Sequence, residues 1–569
     1  MPVTEFDFDS LKDYITSSKD ETLRGIAQKE KKKYVGSSSS MTSVLSQFHY
    51  LLSAWRGIDV RTLSQGFPDK LRTFTRLLRS PSAMFLRYQD GVYAIDADKE
   101  FDSANILMNL GKSMEKLLTL PKEEFERYRR TSSNKISPEE EQAVPESYHY
   151  STLGDFIMRS QLDAYDPRLP GTGMFDLKTR AVVSIRMDAQ NFEHGVGYEI
   201  RGQYGAFESY EREFFDMIRA AFLKYSLQVR VGRMDGIFVA FHNIERIFGF
   251  QYVSLPELDQ TLHGQTDTTL GDTEFRLSLG LWNKILDKAT AKYPQRSLRF
   301  HFETRDAVTP FMYIFAEPVT EDEIHAIQTK NTDAINAYQQ RVLNLPKNPG
   351  GESSGAAANE ESTDAPTANT ADASSVDAAV AETATTEVSA DASANVPDAA
   401  ETRETTEQLK ASTANGQPQE STQSANAYDS SAPVDESLLS ELKQESENAK
   451  EQSQEQPREP RELLAMTLTV KNFVNGQKVE RPNNFQATDE WTIDYELTEL
   501  PADQALPLYD ACQKRRQKAL MGRGEDETDV AANVYIRKLR EISKQGRKFR
   551  EEQDAIDKEK GLVVLGEDS

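Results

Sequence analysis

The sequence has few of the features that identify secreted, membrane-spanning or targeted proteins. It contains one cysteine, Cys512, in 569 residues, which excludes a disulfide framework and fits a reducing compartment. No apolar run approaches the ~20 residues that a transmembrane helix needs. The first ten residues, MPVTEFDFDS, show neither the apolar core of a signal peptide nor an arginine-rich amphipathic pattern. The residues alone therefore indicate no targeting segment and no transmembrane helix.

Several catalytic motifs are missing as well. The chain has no Walker-type glycine-rich phosphate loop and no serine nucleophile elbow. Four histidines show no ligand spacing to cysteine or glutamate, so a zinc site is not expected: His49, His149, His194 and His242. These absences argue against P-loop nucleotide hydrolysis, serine-based catalysis and zinc chemistry.

Acidic charge is unevenly distributed along the chain. Of the net charge of -25, residues 346–459 carry -17, from 23 acids and 6 bases, so the other 455 residues carry -8. This stretch is rich in Ala, Ser, Thr, Glu and Gln and has almost no aromatic residues, which predicts a disordered acidic insertion. The net charge therefore says little about the surface of the folded part.

Helical and strand patterns are mixed along the rest of the sequence, which predicts a mixed α+β fold of the α/β class with one central sheet flanked by helices. We expect five segments: a polar N-terminal segment (1–40), an α/β domain (41–345), the disordered acidic linker (346–460), a C-terminal β/α piece (461–525) and a charged helical tail (526–569). Because the short C-terminal piece would bury little core alone, we expect it to pack on the main domain.

Local signals predict individual elements. The serine tract at 37–40 is typical of a helix cap, and Asp90-Gly91 is typical of a hairpin turn. Further downstream, the patterns predict a helix over 103–120, one long helix over 207–227 and a strand hairpin over 228–242.

The most informative stretch is LPGTGMFDLKTRAVVSI, residues 169–185. A Pro/Gly turn leads into a predicted strand on which Asp176 and Lys178 are two residues apart and therefore point to the same face. Asp163 ends an earlier strand pattern. If the two strands pair, two carboxylates and one lysine converge at one sheet edge, where they can hold a hard divalent cation and activate a water molecule. The alternative is an incidental ion pair on a solvated strand face.

Two more residues are candidates for the same site. Glu115 lies at the border of the apolar stripe of its predicted helix, and Gln203 precedes the predicted long helix. The alternatives are a solvent-exposed glutamate and an ordinary loop amide.

Arginines and tyrosines are interleaved around the predicted strands, and these residue types suit phosphates and unstacked bases. We place nucleic-acid binding ahead of the alternative, in which several of the rings belong to the core. The candidate contacts are Arg159, Arg180, Arg201 and Tyr204.

The order of these residues resembles a known nuclease core. Asp163, then Asp176-x-Lys178 after a Gly-containing turn, then a helix and a strand, is similar to the PD-(D/E)xK nuclease superfamily. The stretch QLDAYDPRLPGTGMFDLKTRAVVSIRMDAQ (161–190) more narrowly resembles the fungal mitochondrial family that processes and degrades RNA 5′ ends. Residues 37–59 and 93–120 also resemble that family. The resemblance covers about 1–340 and resumes near 464–518.

This resemblance implies a PD-(D/E)xK-like domain and an exoribonuclease that uses Mg²⁺ or Mn²⁺ and acts 5′-to-3′. It implies that Asp163, Asp176 and the helical Glu115 bind the metal, that Lys178 serves the water, and that Gln203 is the glutamine before the downstream helix. Two departures stand out: Asp176 replaces the commoner Glu, and Phe207 stands where related nucleases often have Tyr.

The resemblance also implies a location and partners. We expect RNA as substrate, a mitochondrial protein that associates peripherally with the inner membrane, and contact with the mitochondrial RNA polymerase or transcription machinery. Two other functions stay open: a non-catalytic RNA-binding accessory protein on a degenerate nuclease fold, and a membrane-peripheral scaffold.

Overall fold

The computed structural model describes residues 1, 3–12, 14–103, 106–144, 146–342, 462–521 and 530–561. The predicted disordered linker, 346–460, lies outside the described residues, and the predicted division into segments stays a prediction. No helix in the described ranges combines the length and the apolar character that crossing a membrane requires.

Fourteen helices are numbered here in chain order within the described part. They are α1 Glu21–Lys29, α2 Ser38–Leu52, α3 Ile106–Thr119, α4 Lys122–Glu126, α5 Pro138–Ala143, α6 Val183–Arg186, α7 Tyr210–Ala220, α8 Phe222–Gly232, α9 Leu255–His263, α10 Thr269–Lys292, α11 Glu321–Thr329, α12 Thr332–Val342, α13 Ala502–Leu520 and α14 Val530–Lys560.

The strands of the described part are β1 Tyr34–Ser37, β2 Ser82–Gln89, β3 Val92–Ala97, β4 Tyr148–Leu153, β5 Phe156–Gln161, β6 Ala164–Tyr165, β7 Met174–Ala181, β8 Gly236–His242, β9 Ile247–Ser254, β10 Leu298–Arg305, β11 Phe311–Pro318, β12 Leu464–Val474, β13 Gln477–Val479 and β14 Trp491–Glu499.

The described strands form two mixed sheets. The larger has ten strands in the order β13-β12-β11-β10-β2-β3-β1-β5-β4, with β14 also paired to β12; the smaller has the order β6-β7-β8-β9. Strand β1 is parallel to β3 and β5, and β7 is parallel to β8. The predicted mixed α+β fold, with a central mixed sheet flanked by helices, is confirmed. The expectation of a single sheet is wrong, because β5 and β7 lie in different sheets.

Helix α2 lies between the large sheet and the helices α8 and α10, and nearly all of its residues are buried. Its Phe48 packs against Trp282 and Phe302, with ring centroids 6.3 Å and 6.4 Å away. The helix begins with the predicted serine cap: the Ser37 hydroxyl accepts from the Ser40 N–H, and the Ser40 side chain accepts from the Ser37 N–H. This central helix thus begins at a fixed point, next to the end of β1.

Two further local predictions have opposite outcomes. The β2–β3 hairpin turns at Asp90 and Gly91, whose φ angles are 52° and 84°, as a tight turn between twisted strands requires. The long helix predicted over 207–227 is two helices, α7 and α8, with a break at Ala221.

The strand hairpin predicted over 228–242 is also wrong, because Gln228 lies in α8 and the strand β8 begins only at Gly236. Since α8 is buried on nearly every side, its sequence lacks the one-sided apolar period of a surface helix.

The C-terminal ranges pack on the earlier part of the chain. Strand β12 pairs antiparallel with β11 along Leu464 to Thr469 and so extends the large sheet. Helix α13 places Leu508, Tyr509 and Cys512 in one apolar cluster with the aromatic residues of β11. Helix α14 buries Leu539 in the cluster that also contains α3 and α6.

Candidate active site

The predicted acidic site lies where the chain passes from the large sheet to the small one. Strand β5 ends at Gln161, and the two-residue strand β6 pairs with β7 in a register that sets Ala164 opposite Phe175. Asp163, just before β6, accepts a hydrogen bond of 3.0 Å on Oδ2 from the Leu177 N–H. The structure therefore brings Asp163 beside Asp176 through a short turn, although β5 and β7 do not pair.

Asp176 and Lys178 form an ion pair inside the protein. Lys178 Nζ lies 2.7 Å from Asp176 Oδ2, and the two residues are 2% and 6% exposed. Nζ also lies 5.5 Å from the centroid of the Tyr225 ring. In the register of β7 and β8, Asp176 is opposite the core residue Ile237, so this pair faces inward. A lysine and an aspartate so deeply buried cost solvation energy, and such groups are frequent at functional sites.

The carboxyl groups of Asp163 and Asp176 are close enough to hydrogen-bond each other. Burial raises the pKa of Asp163 well above its usual range, and the Asp176 carboxylate raises it further; Glu115 adds to this effect and Lys178 opposes it. Two carboxylates in contact cannot both ionise cheaply unless a cation joins them. The pair of oxygen donors therefore fits a hard divalent ion such as Mg²⁺ or Mn²⁺.

A small cavity opens between these groups. Its free volume is about 10 Å³, close to the space that one water molecule or one ion needs. The cavity is lined by Ser38, Ser160, Gln161, Asp163, Asp176, Gln228 and Met234. Because Ser38 is the first residue of α2, the N-terminus of that helix borders the cavity and adds a partial positive charge. The cavity thus combines two carboxylates, two amides and a helix N-terminus.

Glu115 and Gln203 have different positions relative to the cavity. Glu115 lies on α3, partly buried, and its charge acts on Asp163. Gln203 is exposed in the loop before α7, where its carbonyl accepts from the Glu211 N–H at 3.1 Å. It does not line the cavity. Gln203 thus precedes α7, as the resemblance implies, and its role in catalysis stays a prediction.

Gln228 is one of the two glutamines that line the cavity, with Gln161, and the sequence reasoning missed its role. It is buried on α8, three residues after Tyr225, whose ring is near Lys178. Residues three apart on a helix are neighbours, so a correct assignment of α8 would have drawn attention to Gln228. The prediction of a strand over 228–242 hid that spacing.

The predicted RNA contacts separate into buried and exposed residues. Arg159 is 2% exposed; its Nη1 donates to Asp20 Oδ2 at 2.5 Å and its Nη2 to the Ile15 carbonyl at 2.7 Å. The Tyr148 ring covers its guanidinium at 4.7 Å. The donors and the face of Arg159 are thus already used within the fold, and its predicted contact with RNA stays a prediction.

The other predicted RNA contacts, Arg180, Arg201 and Tyr204, are not among the residues that line the cavity. Arg180 is buried on β7, two residues after Lys178 and so on the same face. Arg201 Nε lies 3.2 Å from Glu208 Oε1, and its guanidinium lies 4.2 Å from the Phe549 ring centroid. Tyr204 is 72% exposed. The last two are on the surface loop that also contains Gln203.

A second cluster of ligand-type residues lies elsewhere in the fold. The structure groups His49, His263 and Glu274, with one ligand atom from each within 4.8 Å of the others. Spacing along the sequence indicates no zinc site, whereas the fold brings His49 next to two other ligand-type side chains. The three residues come from different helices, and no spacing along the sequence signals them.

Comparison with known proteins gives a family match over slightly less than half of the chain. Residues 14–287 match the family described as "Mitochondrial protein Pet127". A Schizosaccharomyces pombe protein named "mRNA degradation protein pet127, mitochondrial" is 41% identical over 333 residues, which is 57% of this chain and 62% of that protein. A Saccharomyces cerevisiae protein named "Putative mitochondrial translation system component PET127" is 50% identical over 256 residues, 44% of this chain and 30% of that protein. The chain thus spans less than two thirds of either relative.

Two solved structures are similar at a low level. They are Scheffersomyces stipitis Rai1 with (3'-NADP)+ and a calcium ion, 9% identical, and Candida albicans Rai1 with pU5-Mn2+, 11% identical. Each comparison covers 60% of this chain and 86% of the other, with a TM-score of 0.27. At that TM-score the likeness carries no argument about ligands or mechanism.

Proposed function

Since residues 14–287 match the Pet127 family, we propose that this chain is a divalent-metal-dependent ribonuclease that works on mitochondrial RNA. The finer proposal is a 5′-to-3′ exoribonuclease that acts in RNA 5′-end processing and degradation. The name of the S. pombe relative supports RNA degradation, and the names of both relatives support a mitochondrial location. The chemistry is argued below from the residues themselves.

The observation that carries the proposal is the contact between Asp163 and Asp176, which line one small cavity, together with the ion pair of Asp176 with Lys178 behind it. A simple structural ion pair needs one acid and one base. Here a second carboxyl group, that of Asp163, is buried beside the pair. Burial and the neighbouring Asp176 carboxylate both raise the pKa of Asp163. Such an arrangement is unfavourable for stability alone and is typical of groups kept for chemistry.

Asp163 and Asp176 would hold Mg²⁺ or Mn²⁺, with Glu115 as a third carboxylate close by. Such an ion supplies positive charge to a phosphodiester and lowers the pKa of a water molecule. Lys178 contributes a fixed ammonium beside the carboxylates, where it stabilises negative charge that develops on the phosphate. The Gln228 amide can orient the attacking water or a phosphate oxygen. In this assignment Gln228 replaces Gln203.

Binding of RNA needs further contacts around the cavity. Arg180 extends the charged face of β7, and Arg201 with the exposed Tyr204 offers a cation and a ring on the nearby loop. The N-terminus of α2 provides a position suited to a phosphate group. Contacts of this kind bind the backbone and stack bases without reading much sequence.

Location and partners are proposed on weaker support. Mitochondrial location rests on the relatives' names. Peripheral association with the inner membrane, and contact with the mitochondrial RNA polymerase or transcription machinery, rest on the family resemblance alone.

The function is tested with a time course on three labelled RNAs of one sequence, carrying a 5′-monophosphate, a 5′-triphosphate or a circular backbone. Each is incubated with the purified full chain in Mg²⁺ or in EDTA. We expect degradation of linear RNA in Mg²⁺ only, with circular RNA intact. Equal cleavage of circular RNA would overturn the exonuclease proposal. RNA binding with no Mg²⁺-dependent cleavage would overturn the nuclease proposal and favour the non-catalytic accessory role.

A further inference from the structure

The strongest unassigned feature of the fold is the cluster of His49, His263 and Glu274. These residues lie on α2, α9 and α10, and all three are buried. His49 Nδ1 lies 2.6 Å from Glu274 Oε1, and His263 Nδ1 lies 3.9 Å from Glu274 Oε2. One carboxylate is thus placed between two imidazoles, away from the residues that line the acidic cavity.

Two ring nitrogens of this cluster have no hydrogen-bond partner among the described residues: His49 Nε2 and His263 Nδ1, both shielded from water. Buried polar atoms are rarely left in this state, because each costs its solvation energy. The gap of 3.9 Å between His263 Nδ1 and Glu274 Oε2 is too long for a hydrogen bond. It is close to the roughly 3.4 Å that separates two ligands of one tetrahedral zinc ion.

Asp259 prepares His263 for the role of a ligand. Asp259 Oδ1 lies 3.8 Å from His263 Nε2, on the other side of the ring from Nδ1. Arg230 holds the second oxygen of Asp259 at 2.5 Å. A carboxylate near one imidazole nitrogen favours the tautomer with its proton there and leaves the opposite nitrogen free to bind a metal ion.

We propose that His49, His263 and Glu274 bind a zinc ion, with Asp259 as the group that orients His263. Two imidazoles and one carboxylate are a common zinc donor set, whereas Mg²⁺ prefers oxygen donors only.

A zinc ion here connects three helices. His49 is near the C-terminal end of α2, and the other end of that helix borders the acidic cavity at Ser38. The ion therefore fixes α2 against α9 and α10 and keeps its N-terminus in place. This role is separate from hydrolysis of RNA and does not depend on the proposed function.

Metal content of the intact protein tests the proposal. The full chain is purified without chelator, incubated with ZnCl₂, desalted and measured by plasma mass spectrometry. We expect one zinc per chain in the wild type and in Asp176→Asn, and loss of zinc in His263→Gln and Glu274→Gln. His149→Gln, which changes a histidine on β4 outside the cluster, serves as the matched control and retains zinc. Wild-type protein without stoichiometric zinc overturns the proposal, and so does full zinc content in both cluster variants.

A second measurement avoids dependence on the folding of the variants. Wild-type protein is stripped with a chelator and titrated with Co²⁺, whose visible absorption reports tetrahedral nitrogen and oxygen ligands. We expect this absorption to saturate at one equivalent, and we expect the melting temperature to fall on stripping and to recover with Zn²⁺. An octahedral Co²⁺ spectrum contradicts the proposal. So does a melting temperature that changes neither on stripping nor on addition of Zn²⁺.

Discussion

Lys178 Nζ lies 2.7 Å from Asp176 Oδ2, and the carboxyl group of Asp163 contacts the same aspartate. Three titratable groups therefore lie in one buried site at the junction of the two sheets. The charges of one buried acid and one buried base cancel, but a second buried acid adds a negative charge that the base does not compensate. This imbalance is the physical reason to assign a cation to the cavity, and it makes the site testable through stability as well as through activity.

Asp163→Asn is expected to stabilise the protein when metal is absent. The folded protein raises the pKa of Asp163, so between the unfolded pKa of about 4 and the raised folded value the native state binds more protons than the unfolded state. The stability of the wild type therefore falls as pH rises through that interval. Asparagine cannot ionise and still accepts from the Leu177 N–H. Melting temperatures in EDTA should diverge as pH increases from 4, with the variant higher.

Addition of Mg²⁺ gives the control for that comparison. At neutral pH the ion should raise the melting temperature of the wild type and leave Asp163→Asn nearly unchanged, because the variant lacks one carboxylate ligand. Parallel pH profiles in EDTA would contradict a strained carboxyl pair.

Gln228→Met should lower the rate of RNA cleavage by about 10- to 100-fold, the range for loss of a group that orients the ligands of a metal site. Methionine keeps the volume of the side chain and removes only the amide. Gln203→Ala, in the exposed loop, is the comparison variant and should keep the wild-type rate. Single-turnover cleavage at saturating enzyme measures both. A larger loss of cleavage rate in Gln203→Ala than in Gln228→Met would show that Gln203, and not Gln228, is the active-site glutamine.

Arg159→Met should destabilise the fold rather than weaken RNA binding. It leaves Asp20 buried without its cation, which costs about 3–5 kcal/mol when one partner of a buried pair is removed. Urea denaturation gives the free energy of unfolding, and filter binding at several salt concentrations gives the RNA affinity. Arg168→Met, which changes an exposed arginine, should leave stability unaltered. Normal stability with reduced RNA affinity in Arg159→Met would show that Arg159 contacts RNA after all.

The sequence predicted best those features that short segments determine. The serine cap of α2 and the turn at Asp90-Gly91 depend on a few adjacent residues, and both are present. The approach of Asp163 to Asp176 follows from the pairing of β6 with β7 and not from the predicted pairing of β5 with β7. Gln228 was missed because α8 is buried on nearly all sides, so its residues do not show which element they form.

Features that depend on distant parts of the chain could not be predicted. His49 and Glu274 are 225 residues apart in sequence, and only the packing of α2 against α10 brings them into contact. Likewise, the burial of Arg159 results from Asp20 and the Tyr148 ring, which no local pattern connects to it.

Cleavage of 5′-monophosphate RNA by Asp176→Asn, compared with Asp166→Asn under single-turnover conditions in Mg²⁺, tests the central claim most directly. Asp166 is in the same segment, where it pairs with Arg168 at 2.6 Å outside the cavity. We predict that Asp176→Asn binds RNA as the wild type does and cleaves at least about 100-fold more slowly, since loss of a metal ligand removes several kcal/mol of transition-state stabilisation. Asp166→Asn should cleave normally. Wild-type cleavage by a folded Asp176→Asn protein would contradict the account.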